Sequence, residues 1–198
     1  MLKIFVIFFS ILAVSQAKDR SASIVVDGQT GKVLHAENET ALRYPASLTK
    51  KMTIYLAFEA LRKGRITMNT QFRVSKRAAM QLPSKIWLKP GEMITVRKLL
   101  ESLIVKSAND SAVVMAEGLE GSVEKFATAM TKKAHALGMN HSVFKNPSGL
   151  NDQLKNDPRQ YTTAKDMAIL AMALHRDFPQ HAHLFGLTQF SYRGKVFH

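Results

Sequence analysis

No cysteine occurs among the 198 residues, so neither a disulfide nor a thiolate-held metal enters any account of this chain. There is no glycine-rich phosphate loop and no His-Glu-x-x-His, the signatures that would point to nucleotide binding or to zinc hydrolysis. His181-Ala182-His183 has no third ligand spaced nearby, so no metal and no cofactor is expected. Acidic residues are scarce: 15 Asp and Glu against 28 Lys and Arg leave a formal net charge of +13. That excess favours anionic partners. The basic residues are scattered as pairs, Arg62-Lys63, Lys76-Arg77, Arg97-Lys98 and Lys132-Lys133, with no run interleaved with aromatics. Nucleic acid is therefore not the expected partner; an anionic membrane surface or acidic polymer fits the charge better. Tryptophan is nearly absent too. The single one, Trp87, is expected in the core, with a pocket wall as the alternative. Long internal repeats and low-complexity tracts are missing.

What is present is apolar residue in quantity, 46% of the chain, enough for one domain with a sizeable core. Residues 1–17 read as a secretory signal peptide, with Lys3 ahead of an apolar run and Ser15-Gln16-Ala17 at the cleavage positions. The run is too short to span a bilayer, so the mature chain is expected to begin at Lys18 and to act outside the cytoplasm. Residues 21–27 and 32–37 read as the strands of a hairpin around Asp27-Gly28-Gln29-Thr30-Gly31. Residues 47–63 read as a helix apolar almost all round, and therefore buried, with Gly64 as its stop. Residues 65–93 are polar and irregular, with one short helix expected around 75–82. Apolar spacing then predicts helices over 95–106, 112–119, 122–137 and 162–175. A polar loop is expected at 151–159, and strand with a turn at Tyr192-Arg193-Gly194-Lys195 within 190–197.

Ser-x-x-Lys occurs four times, as Ser15/Lys18, Ser47/Lys50, Ser122/Lys125 and Ser142/Lys145. The first straddles the expected cleavage point, Ser122 reads as a helix N-cap, and Ser142 lies in an extended segment. Only Ser47/Lys50 opens a buried helix. Residues three apart share a helix face, and an amine that has lost its proton can take the proton of a serine hydroxyl. Burial lowers a lysine pKa, and the N–H groups of a helix N-terminus suit an oxyanion. The chain's one Ser-x-Asn, Ser107-Ala108-Asn109, stands 60 residues after Ser47, ahead of another apolar helix. By itself it reads as an ordinary helix start, because Ser, Asn and Asp are good N-caps.

An export signal, Ser-x-x-Lys opening a buried helix and Ser-x-Asn opening a second helix, in that order, resemble the penicillin-interacting serine D,D-peptidases, and most closely the low-molecular-mass D-alanyl-D-alanine carboxypeptidases. The likeness extends through Val26-Asp27-Gly28, Tyr44-Pro45-Ala46-Ser47-Leu48-Thr49-Lys50, Asn146-Pro147-Ser148-Gly149-Leu150 and Tyr161-Thr162-Thr163-Ala164. It implies an α+β, β-lactamase/transpeptidase-like fold, an N-terminal β-hairpin plus a helical subdomain over about 65–178. It also implies Ser47 as nucleophile, Lys50 as general base, Ser107 as proton relay, and Asn109 orienting Lys50 and binding substrate, with Ser107 at the same subsite. The implied partners are peptidoglycan stem peptides and β-lactams, in the periplasm or cell envelope. The family's third motif, Lys-Thr-Gly or Lys-Ser-Gly, is absent from the 198 residues. It lies further downstream in the family, so residues 18–198 are expected to be an incomplete catalytic domain of reduced or no activity, with the later sheet strands missing. A β-lactamase, a D,D-endopeptidase and a non-catalytic wall-binding protein are the alternatives. No glutamate occurs over 144–152, which disfavours the class A β-lactamase, whose glutamate activates the deacylating water.

Overall fold

β-branched Ile24, Val25 and Val26 run into Asp27, whose carboxylate accepts N–H bonds from Gln29 and Thr30 at 3.0 and 2.7 Å and the Thr30 hydroxyl at 2.8 Å. Such a side-chain-closed turn reverses the chain. The result is an antiparallel hairpin of β1 (Ser23–Val26) and β2 (Val33–Glu37), in register as Ile24 opposite Ala36 and Val25 opposite His35. The computed structural model of the chain describes residues 21–150 and 160–198. The expected signal peptide and the expected loop at 151–159 lie outside the described residues.

Past the hairpin, a 3-10 turn over Ala46–Leu48 leads into α1 (Thr49–Arg62). This helix is buried from Thr49 through Ala60 except at Lys51 and packs against α3 (Val96–Val105), α4 (Asn109–Glu120), α5 (Val123–Ala136) and α6 (Ala164–Asp177). An all-round apolar sequence has thus become the central rod of the core, as the pattern requires. Met52, Ala57 and Phe58 are fully buried on it. Ser47 itself stands in the 3-10 turn, one step before the α-helix, so the helix begins two residues later than the spacing suggested.

Side-chain caps set α3, α5 and α6 where the sequence placed them. Thr95 accepts from Lys98 N, Ser122 from Lys125 N and Thr163 from Asp166 N, each satisfying an N–H that has no intrahelical partner. Ser122/Lys125 is accordingly a capping pair. Ser142 is buried off any helix, hydrogen-bonded to Asp166 and Thr162 at 2.7 Å. The irregular stretch holds more structure than its polarity suggested. β3 (Gln71–Arg73) pairs antiparallel with β4 (Met93–Thr95), and α2 (Lys76–Ala79) lies between them in sequence. These strands are three residues each, too short for periodicity to register. A 3-10 segment, Pro179–Gly186, was not anticipated either. β5 (Phe190–Tyr192) and β6 (Lys195–Phe197) form the third two-stranded sheet, a hairpin tied by Tyr192 and Arg193 to Glu92. The architecture is α+β: six helices and three two-stranded antiparallel sheets among the described residues. No helix there is long and apolar enough to cross a membrane.

One expectation is overturned. Trp87 is not in the core; it is 61% exposed. Ile86 and Leu88 on either side are buried at 2% and 4%, with their N–H groups bound to the Asp110 carboxylate.

Gly118 in α4 marks a close contact. A Cβ there would stand 2.3 Å from Cγ and Cδ2 of Phe72 in β3. Gly118→Ala gains about 1 kcal/mol of helix propensity, but displacing a packed ring costs about 1–3 kcal/mol. The urea midpoint of Gly118→Ala is expected to fall; a raised midpoint contradicts this packing.

Candidate active site

Pro45 ends the connector from the hairpin, and Ala46 follows it with φ 44°. That left-handed turn brings Ser47 to the surface, exposed, immediately before a buried Thr49 and a Lys50 only 2% exposed. The approach is fixed from behind by a backbone pair between Arg43 and Thr162, with N···O distances of 2.8 and 2.9 Å.

Lys50 Nζ lies 3.4 Å from Ser47 Oγ and donates to the carbonyl of Ser148 at 2.8 Å. One turn further on, Thr53 Oγ1 donates to the Pro147 carbonyl at 2.8 Å. Two consecutive carbonyls of the Asn146-Pro147-Ser148-Gly149 turn thus dock on one face of α1. The turn is held in shape by Asn146, whose Oδ1 accepts from the N–H groups of Ser148 and Gly149 at 3.1 and 2.8 Å. Gly149 has φ +87°, and a Cβ on it would fall 1.7 Å from the Ala46 oxygen. Only glycine lets the turn close against the Ser47 loop.

Burial drives the Lys50 pKa down from 10.5 to about 8. Its two acceptors among the described residues, the Ser47 hydroxyl and the Ser148 carbonyl, are neutral and do not compensate a positive charge as a carboxylate would. At pH 7 such an amine is neutral in roughly one molecule in ten, against roughly 0.04% for a free lysine. The neutral amine has a lone pair facing a hydroxyl on an exposed serine, an arrangement competent for proton abstraction and covalent catalysis.

Ser107 and Asn109 stand at the start of α4, which packs against α1. They do not act as side-chain caps: Ala108 is the N-cap residue, with no side-chain cap bond. Ser107 is half-buried with φ 53°. Asn109 is 3% exposed, and its Nδ2 donates to the Leu82 carbonyl at 2.8 Å while its N–H donates to the Ser84 carbonyl at 2.7 Å. The hydrogen bonds of Lys50 run to Ser47 and Ser148; neither Ser107 nor Asn109 is among its partners in the described residues. Asp110, fully buried, accepts from the N–H groups of Ile86, Leu88 and Ser111 at 3.1, 3.1 and 2.8 Å. Burial pushes its carboxyl pKa up, and those three donors pull it back. Sequence reasoning missed the contribution of Ser148, Gly149 and Asp110. The Asn-Pro-Ser-Gly cluster announced a turn, but nothing local says that its carbonyl meets a lysine 98 positions away.

The sequence profile of the family described as "D-alanyl-D-alanine carboxypeptidase" matches residues 12–196. D-alanyl-D-alanine carboxypeptidase DacF of Bacillus subtilis is 42% identical over 158 residues, covering 80% of this chain and 39% of that protein. Among solved structures, the D-alanyl-D-alanine carboxypeptidase DacD from Francisella tularensis superposes with a TM-score of 0.82 at 34% identity, over 87% of this chain and 41% of that one. Penicillin binding protein 5 from Haemophilus influenzae gives 0.82 at 31% identity, over 89% and 51%. The chain spans about two fifths of the curated relative's length.

Gly149→Ala is expected to destabilise the fold by about 1–3 kcal/mol through overpacking and left-handed strain, read as a drop in urea midpoint. A variant within about 0.5 kcal/mol of the parent contradicts the close approach of Gly149 to Ala46.

Proposed function

Because the chain belongs to the D-alanyl-D-alanine carboxypeptidase family of serine peptidases, we propose that it carries the acylating half of a carboxypeptidase that trims peptidoglycan stem pentapeptides. Ser47 attacks the carbonyl between the two terminal D-alanines, and Lys50 takes the hydroxyl proton. Collapse of the tetrahedral adduct breaks the amide, the proton passes through Ser107 to the leaving D-alanine amine, and an acyl-enzyme remains on Ser47. Water then hydrolyses that ester. Asn109 orients the substrate amide. β-Lactams enter by the same attack and stay as the acyl adduct. The observation that carries this reading is the buried, low-pKa Lys50 within 3.4 Å of an exposed Ser47.

One oxyanion donor is the N–H of Ser47. Residues 1–198 contain no Lys-Thr-Gly or Lys-Ser-Gly, so within them the second donor and the lysine for the substrate carboxylate have no counterpart. Loss of one oxyanion donor costs on the order of 10²–10³ in rate. Residues 18–198 taken alone are therefore of reduced or no activity. The chain works outside the cytoplasm after export by residues 1–17, and its excess of 13 positive charges favours the anionic polymers and lipids of the cell envelope. Crosslinked muropeptides compared with free pentapeptide as substrates separate endopeptidase from carboxypeptidase action.

Two measurements test the reading. A chimera of this chain with the remaining sequence of the Bacillus subtilis relative is expected to label with fluorescent penicillin, and Ser47→Ala to abolish the label. Labelling that survives Ser47→Ala removes Ser47 from the mechanism. In the same chimera the second-order acylation rate is expected to rise with pH and level off above a midpoint near 8, because the base is the deprotonated amine and burial sets its pKa at about 8. A rate flat from pH 6 to 10, roughly two units on either side of that midpoint, contradicts Lys50 as base.

A further inference from the structure

Two carbonyls of the Asn146-Pro147-Ser148-Gly149 turn accept from α1: Pro147 O from Thr53 Oγ1 and Ser148 O from Lys50 Nζ, each at 2.8 Å. A third residue aims them. The N–H of Ser148 shares a peptide plane with the Pro147 carbonyl, and the N–H of Gly149 shares one with the Ser148 carbonyl. Both peptides are trans, and in a trans peptide N–H and C=O point opposite ways. Asn146 Oδ1 accepts both of these N–H groups, at 3.1 and 2.8 Å. By drawing the two N–H groups to one oxygen, it turns both carbonyls away from itself and onto α1.

Asn146 is buried, and its amide works in both directions. Oδ1 also takes the Ser148 hydroxyl at 3.2 Å and the Gln160 amide at 3.5 Å, while Nδ2 donates to the Leu150 carbonyl at 2.6 Å. An aspartate would keep the accepted bonds and lose the donated one. Alanine would lose them all and leave buried N–H and C=O groups unpaired. Gln160, itself buried, opens a short segment that reaches the site from two sides. Tyr161 pairs with Val143 through N···O distances of 2.9 and 3.0 Å, and Thr162 pairs with Arg43 on the connector to Ser47. One segment thus braces both the turn that meets Lys50 and the approach to the candidate nucleophile.

We propose that Asn146 is a positioning residue for the reaction: it aims the Ser148 carbonyl at Lys50, and so holds the amine against the Ser47 hydroxyl and closed to water. The inference rests on the catalytic reading above and adds to it a residue that touches neither substrate nor the reacting atoms. Burial is what lowers the Lys50 pKa, so whatever keeps the amine covered sets the population of free base. The charged and titratable groups on α1 and the helices packed around it are engaged elsewhere: Glu59 with Lys133, Lys98 with Glu101, Asp110 with the N–H groups of Ile86 and Leu88, Asp166 with Ser142, Asp177 with Arg176, and His135 with the Ser142 carbonyl. None of them forms an ion pair with Lys50 among the described residues.

The titration of Lys50 reads the proposal in the full chain and without activity. In the parent, the side-chain Nζ resonance is expected to titrate near pH 8. In Asn146→Ala the released peptide lets water replace the carbonyl, and the midpoint is expected to rise by about one unit or more toward 10.4, about a tenfold or greater loss of neutral amine at pH 7. Asn146→Asp keeps the accepted bonds and carries the test if the alanine variant does not fold. It is also expected to raise the midpoint, because a carboxylate favours the ammonium form. Ser122→Ala, which removes the cap of α5, is expected to lower the urea midpoint and leave Lys50 unmoved. An unmoved or lowered Lys50 midpoint in a folded Asn146 variant overturns the proposal, as does an equal rise in Ser122→Ala. Penicillin labelling of Ser47 in the chimera reads the catalytic chemistry separately. Labelling together with an unmoved Lys50 removes the role of Asn146 only; a raised Lys50 midpoint in the variants without labelling of the parent chimera removes the catalytic reading only.

Discussion

An ammonium group removed from water without a countercharge is the constraint on which the rest of this molecule turns. Lys50 is 2% exposed, and its Nζ meets a serine hydroxyl and a peptide carbonyl. The fall in pKa from 10.5 to about 8 corresponds to about 3 kcal/mol of disfavoured charge. That cost is fully present below pH 8, where folded and unfolded chains both hold the proton. Between about pH 8 and 10.4 the folded state releases it first, the unfolded state binds more protons, and stability rises with pH. The fold therefore gives up stability at neutral pH to keep a lysine partly deprotonated beside Ser47. The core of α1, buried from Met52 to Phe58, offsets it.

At three places that bear on the candidate site the backbone is held in conformations that the chain would not choose alone. Ala46, Ser107 and Trp87 have φ of 44°, 53° and 62°, each costing on the order of 1–3 kcal/mol. They stand at the turn before the candidate nucleophile, in the Ser-x-Asn segment, and on the loop that Asn109 and Asp110 bind. Asn38 and Arg193, at φ 49° and 48°, take the same conformation in turns elsewhere. Two of the three are held by specific contacts: Gly149 against Ala46, and Asp110 against the N–H groups of Ile86 and Leu88 that flank Trp87.

Most of the helical framework was legible because it rests on local signals. Apolar spacing and the caps Thr95, Ser122 and Thr163 located α3, α5 and α6 within one or two residues, and the all-round apolar run of α1 announced its central place. β3 and β4 escaped because three-residue strands carry too few side chains to show alternation. Trp87 was misplaced because hydrophobicity predicts burial only on average, while its outward direction comes from hydrogen bonds to a residue 23 positions later. The pairing of Lys50 with Ser148 was invisible for the same reason: it joins segments 98 residues apart. Residue types in the site could be read from motifs, whereas the contacts that tune them are products of tertiary packing.

The protonation state of Lys50 is the centre of the account, and it can be observed directly. Heteronuclear NMR titration of the Lys50 side-chain Cε and Nζ resonances, assigned by their loss in Lys50→Arg, reports its pKa in the folded chain. The account predicts a midpoint near pH 8, where burial sets it. A midpoint near 10.4, the value of a free lysine, would contradict it, because the amine would then carry its proton at neutral pH and leave Ser47 without a base.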